Sequence, residues 1–267
     1  MQMHLHAMSN TPIVKCGIDG AAAMNNLINM IAENKAHGWL SVGFLLLSMI
    51  CAKASAQTRP ASIVQFPHIE VDVPHKQLRL ECEALNCDAP LEMLCCVAGT
   101  HDYESVLRSG ARPSQVHLGL IMLGLQCGEP AHYSEKDKRW FPPSGDEMNI
   151  EAEFIRNGKL VRIPASDLIR NIKTKKSMPE TPWVFAGSRV VNGTYTADVT
   201  GYLLTIVNFD WSTIDVPAIR SNSDATLQWE RNPQVAPVGG TRVVLVITPI
   251  SEKKSHDKAA RMDAVQS

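Results

Sequence analysis

The chain has 267 residues, a formal net charge of -1 and a pI near 6.7, with 45% hydrophobic and 20% charged residues. That balance is an ordinary globular one and gives no electrostatic ground for nucleic acid or an anionic membrane as a partner. Aromatics at 6% leave too few rings for a platform that stacks single-stranded bases.

Trp39 to Cys51 (WLSVGFLLLSMIC) is the one long apolar run. It is shorter than the roughly 20 helical residues that cross a bilayer and has the length of a secretory-signal core. Lys35 and His37 precede it, and Ala54-Ser55-Ala56 follows with the small side chains that a signal peptidase admits. The sequence therefore predicts export with cleavage after Ala56, so that residues 1–56 are an N-terminal extension and signal peptide. Met30 is a natural start for that signal. No stable membrane span is expected after cleavage. Cys51 follows Ser48-Met49-Ile50, which lacks the small residue expected just before a lipidated cysteine.

Five cysteines follow the cleavage site: Cys82, Cys87, Cys95, Cys96 and Cys127. An odd number leaves at least one thiol free or paired with another chain, and no CxxC spacing supports a zinc ribbon or a thioredoxin-like motif. Adjacent strand residues face opposite ways, so Cys95 and Cys96 are expected to be small core-filling residues rather than a strained vicinal disulfide.

In the mature chain, Ile69, Val71 and Val73 alternate with polar residues up to Pro74, and Leu78, Leu80, Cys82 and Ala84 alternate after it. The pattern predicts two antiparallel strands around a turn. Leu91 to Val97 reads as a strand buried on both faces despite one interior acid. Asp102 to Arg108 reads as a short helix. Ser114 to Gln126 reads as a second helix, apolar nearly all round, which predicts a buried central helix ended by Gly128. Residues 128–145 are polar with Pro and Gly, and form the longest internal loop. Met148 to Phe154, Asn157-Gly158 and Leu160 to Ile163 make the clearest hairpin, because Asn-Gly tolerates the two positive φ angles of a type I′ turn. Ser166 starts a predicted short helix to Ile172, ahead of the basic stretch Lys173 to Lys176. Asn192-Gly193 marks a second hairpin, and short strands are expected at Trp183 to Ala186, Tyr202 to Val207, Leu227 to Trp229 and Val243 to Thr248.

Short strands, two principal helices and no regular βαβ alternation predict an α+β fold with a mostly antiparallel or mixed sheet. The expected domain spans residues 57–249, and the polar tail 250–267 is expected to be disordered.

Polar chemistry concentrates in Thr100-His101-Asp102-Tyr103-Glu104-Ser105. On a helix His101 would share a face with Glu104 and Ser105. A metal site would join His101, Glu104 and His117 with Cys96, since borderline metals take imidazole, carboxylate and thiolate. A nucleophile would pair Cys96 or Ser105 with His117. The simpler alternative makes His117 a satisfied core histidine and gives Thr100 or Asp102 a capping role. Lys173 to Lys176 is either a solvated loop or an anion site, and Trp183, Trp211 and Trp229 are either core and rim or a ligand groove. No phosphate-binding glycine loop, G-x-S-x-G elbow or H-E-x-x-H motif is present.

Leu91-Glu92-Met93, Cys96, Gly99-Thr100, Glu104-Ser105, His117, Leu123-Gly124 and Gly128 occur in an order that resembles the YdjY-like family of exported bacterial proteins. Arg170 to Lys176, Trp183 to Ser188 and Val207-Asn208-Phe209 resemble its planctomycete-type members. The resemblance covers about residues 69–249. It implies no established activity. Members usually read Lys-x-His-Glu-Ser where this chain has His101-Asp102-Tyr103-Glu104-Ser105, so position 103 is Tyr and position 101 is His. The expectation is an exported cell-envelope binding or accessory protein whose ligand or envelope partner is unidentified. The alternative is a metal-dependent or redox-linked enzyme using the Cys96, Glu104 and His117 region. A third reading docks a partner on the 128–145 loop through Trp140 and Phe141.

Overall fold

The computed structural model describes residues 63–250; the expected signal, its cleavage site and the tail beyond Ile250 lie outside them. Among the described residues, sixteen strands and two short α-helices form an α+β fold dominated by one ten-stranded sheet. Strand β1 (Ile63–Phe66) pairs with β2 (Ile69–Asp72), and β2 pairs with β3 (Gln77–Ala84), all antiparallel. The β2–β3 turn is the expected one at Pro74 to Lys76, with Lys76 at φ 52°. In β3 the buried positions alternate perfectly with half-buried ones, as a strand with one face on a core requires.

The main sheet runs β11 (Trp183–Val184), β8 (Glu147–Arg156), β16 (Arg242–Pro249), β3, β5 (Ser105–Ser109), β4 (Met93–Val97) and β14 (Leu204–Thr205). Inside it lies β16, the last strand in the chain, paired antiparallel to both β3 and β8. Val243, Leu245, Val246 and Ile247 there are wholly buried. The Asn157-Gly158 turn leads from β8 into β9 (Lys159–Pro164), with φ 51° and 73° as the hairpin predicts. The second Asn-Gly turn likewise joins β12 (Val190–Val191) to β13 (Thr194–Tyr195).

Helix α1 (Pro113–Met122) starts with proline at its first position, a preorganised entry into helical φ. It is shorter than the expected 114–126 and does not bury all its faces: Pro113, Val116, Gly119 and Leu120 are buried, whereas Ile121 and Met122 are half-exposed. Gly119 lets the helix lie close on the sheet, because a Cβ there would sit 2.7 Å from Leu78 and 3.0 Å from Val71. Helix α2 (Ala197–Thr200) is a single turn ended by Gly201 at φ 83°.

Three expectations change. The stretch Asp102 to Arg108 is not a helix: a 3-10 turn covers Asp102–Glu104, and Ser105 begins β5. Parallel pairing with β4 and burial of Ser105, Val106 and Leu107 override the local helical pattern. The helix expected from Ser166 shrinks to a 3-10 turn, Ala165–Leu168, before β10 (Ile169–Asn171), which pairs with β15 (Trp229–Arg231). Residues 128–145 are not plain loop. They contain the hairpin β6 (His132–Ser134) and β7 (Arg139–Phe141), with Trp140 and Tyr133 edge-to-face on its exposed side.

Candidate functional site

The candidate site is made by the connection between β4 and β5. These neighbours run parallel with Met93 opposite Ser105, yet only Ala98 to Glu104 joins them. Parallel neighbours ordinarily need a crossover of about a dozen residues or more, so this short one must fold straight back along the strand it has just left. Gly99 turns the chain at φ 82°. Thr100 Oγ1 donates to the Val97 carbonyl at 2.6 Å, and Gly99 N–H donates to Asp102 Oδ1 at 2.9 Å. Ser105 Oγ ties the exit to the His101 carbonyl at 2.8 Å. The return carries His101 and Glu104 to the start of β4, where Glu92 stands.

There an imidazole and two carboxyl-bearing residues come together. His101 Nδ1 lies 2.7 Å from Glu104 Oε1, and its Nε2 lies 2.9 Å from the Thr200 carbonyl oxygen. The Glu92 N–H donates to the Glu104 main-chain carbonyl at 3.1 Å, and Ile206 N–H donates to the Glu92 carbonyl at 2.9 Å, so the two carboxyl-bearing residues are held as neighbours. Burial, reinforced by the Glu104 and Asp224 charges, pushes the Glu92 carboxyl up to about 7. Tyr202 stacks on Phe209 at 4.2 Å and lies 4.9 Å from the His101 ring. Tyr103 is 66% exposed at the rim. Positions 101 and 103 therefore face different surroundings, and the imidazole at 101 is the one that meets Glu104.

The four residues singled out as metal ligands are not brought together. His101 and Glu104 pair. Cys96 faces the other side of the crossover, with Sγ 3.5 Å from Asp102 Oδ1, which Arg108 holds through Oδ2 at 2.9 Å. Burial pushes the Cys96 thiol up to about 11, the reverse of what a thiolate nucleophile or ligand needs. His117 sits on α1 against Phe185, ring centroids 4.7 Å apart, with Nδ1 3.1 Å from the Tyr195 hydroxyl. Burial lowers its pKa to about 4, so it is a neutral packed ring. Among the described residues no three His, Cys, Asp or Glu side chains converge as a metal site. Cys95 and Cys96 are both wholly buried and unbonded to each other.

Sequence reasoning missed Glu92 as a site residue. Its signal was an acid inside an otherwise apolar strand, a residue whose burial demands a partner. It also missed Asp215, wholly buried and hydrogen-bonded by Asn208 Nδ2 at 3.1 Å.

Residues 69–248 match the model of the YdjY domain. The chain belongs to the YdjY family. No curated protein and no solved structure matched it. The matched span of the YdjY domain runs from β2 to β16 and so includes the β4–β5 crossover and all of the residues just described.

Proposed function

We propose that this protein is an exported cell-envelope binding or accessory protein that takes its ligand at Glu92, Glu104 and His101. The observation that supports this reading is the buried Glu92 carboxyl next to the His101–Glu104 pair, at a place rimmed by Tyr103 and Tyr202. Such a carboxyl accepts a cation by releasing its proton, and tyrosine faces suit an organic ammonium. The hydrophobic run and small-residue site before Gln57 support export. Of the alternative, a metal-dependent or redox-linked enzyme, the His101–Glu104 pair is the part left for a divalent cation.

The sign of the pH dependence follows from Glu92. Above about pH 7 its carboxyl is ionised, so a cation meets one more negative charge and binds more tightly. If the cation binds only the ionised form, affinity rises about tenfold between pH 6 and pH 8. Calorimetry of the protein with tetramethylammonium is expected to show that rise, with proton release across buffers of different ionisation enthalpy. Glu92→Gln should abolish both. Heats independent of pH, or unchanged in that variant, would remove the site. Export is checked separately by the N-terminus of the native protein, expected at Gln57.

A further inference from the structure

A half-enclosed cavity of about 170 Å3 lies beside β15, lined by Val207, Arg220, Ser221, Thr226, Gln228 and Trp229. It is smaller than the roughly 300–1,000 Å3 that encloses a drug-sized ligand, so it fits one small functional group. Its chemistry is one-sided. Arg220 Nη1 donates to the Ile206 carbonyl at 3.3 Å and touches Met178 Sδ at 3.4 Å. Its Nε and Nη2 meet no acceptor among the described residues, and no carboxylate there lies within 4.0 Å of it. Glu230 on the same strand is engaged by Arg170 at 2.6 Å and Lys175 at 2.8 Å. The acid that Arg220 does feel, Asp215, is wholly buried, and burial pushes its carboxyl up to about 8. Its two oxygens accept from Asn208 Nδ2 and the Val216 N–H, and it makes no ion pair with the Arg220 fork. Burial also lowers the pKa of Arg220 itself, as expected of a cation short of a partner.

The guanidinium is nonetheless held in place. Asn208 receives the Arg220 main-chain N–H on Oδ1 at 2.6 Å and donates from Nδ2 to Asp215. The Arg220 fork packs over the Trp229 ring, 5.2 Å from its centroid. Further donors face the same space. Gln228 Oε1 accepts from Asn171 Nδ2 at 3.5 Å, which leaves its NH2 to donate. Ser221 Oγ accepts from the Ser223 N–H at 3.1 Å, which leaves its hydroxyl hydrogen. The exposed Lys173 and Lys176 belong to the segment whose Ile172 N–H bonds the Gln228 carbonyl at 2.8 Å. Asp224, on the turn that carries Thr226, is exposed to solvent.

We propose that this cavity is a binding site for a small oxyanion group, a carboxylate or a phosphate, received by the Arg220 fork with Ser221 and Gln228 as flanking donors. A planar guanidinium whose Nε–Nη2 edge is free matches either group in a bidentate contact, which a lysine cannot reproduce. Its lining side chains are not those of the Glu92 cluster, so substitutions at Glu92 and at Arg220 test the two sites separately.

The test titrates the protein with acetate and with inorganic phosphate, following chemical shifts or heat. At least one probe is expected to saturate, and the preferred probe tells carboxylate from phosphate. Arg220→Gln should weaken binding about tenfold or more, Arg220→Lys less, and Ser221→Ala or Gln228→Ala a few-fold with an unchanged melting temperature. Glu92→Gln should leave it unchanged. If Arg220→Gln does not fold, the exposed Ser221 and Gln228 variants decide. No saturation with either probe, or saturation untouched by Ser221→Ala and Gln228→Ala together, overturns the proposal.

Discussion

A single histidine shows how a residue's surroundings set its contribution. His117 is ordinarily a group of pKa about 6.5, and burial against Phe185 and Tyr195 lowers it to about 4. The unfolded chain therefore takes up a proton near pH 6.5 that the folded one refuses. Stability from this residue is complete above pH 6.5 and is lost as pH falls towards 4. At pH 4.5 the difference is about 2–3 kcal/mol. Denaturant unfolding at pH 7 and 4.5 is expected to show that loss in the wild type and a smaller one in His117→Gln. Equal losses in both would mean the ring is not the acid-sensitive group. Glu92 is the opposite case at the same scale. Its charge is refused by burial and by Glu104; the apolar run around it announces the burial but not the partner, because Glu104 is its neighbour only through the crossover.

At the scale of elements, legibility follows the range of the determining interaction. Asn157-Gly158 and Asn192-Gly193 were readable because positive φ is a local demand that those residues meet at little cost. The strand identity of Ser105 to Ser109 was not, because it arises from parallel pairing with β4 and from Ser109 Oγ donating across to the Glu81 carbonyl at 2.6 Å. Residues 128–145 looked like loop because β6 and β7 are three residues each, too short to express a period. That segment is closed at its base by the Cys127 to Gly145 bridge and by Gly128 N–H donating to the Phe185 carbonyl at 2.9 Å. Gly145 has φ 134°, and a Cβ there would lie 2.1 Å from the Phe185 oxygen. Two penalties coincide, a forbidden φ and a clash with main chain that cannot step aside. Gly145→Ala is expected to cost at least about 2 kcal/mol, measured by chemical unfolding. A cost below about 0.5 kcal/mol would mean that the base of the hairpin yields.

Across the whole molecule, the core is continuous from β2 through β16 to the turn that carries Ile214 and Val216, and the thiols report on it. Cys95 and Cys96 lie on opposite faces of β4, both wholly buried, and Cys82 Sγ on β3 hydrogen-bonds Cys95 Sγ at 3.7 Å without a disulfide. Burial raises the pKa of Cys95 well above the ordinary thiol value and that of Cys96 to about 11. Neither thiol can react from the folded state, since reactivity needs both thiolate and access. Their alkylation must wait for opening of the sheet. Because β4 is clamped between β5 and β14, the two are expected to open in one cooperative step. Pulse alkylation read by mass spectrometry should label Cys95 and Cys96 at the same rate, and that rate should follow the unfolding equilibrium as denaturant is added. If Cys96 labels earlier, the β4–β5 crossover opens by itself. The loop that carries His101 and Glu104 would then be a mobile part of a stable sheet, and ligand binding at Glu92 should slow Cys96 labelling while leaving Cys95 unaffected.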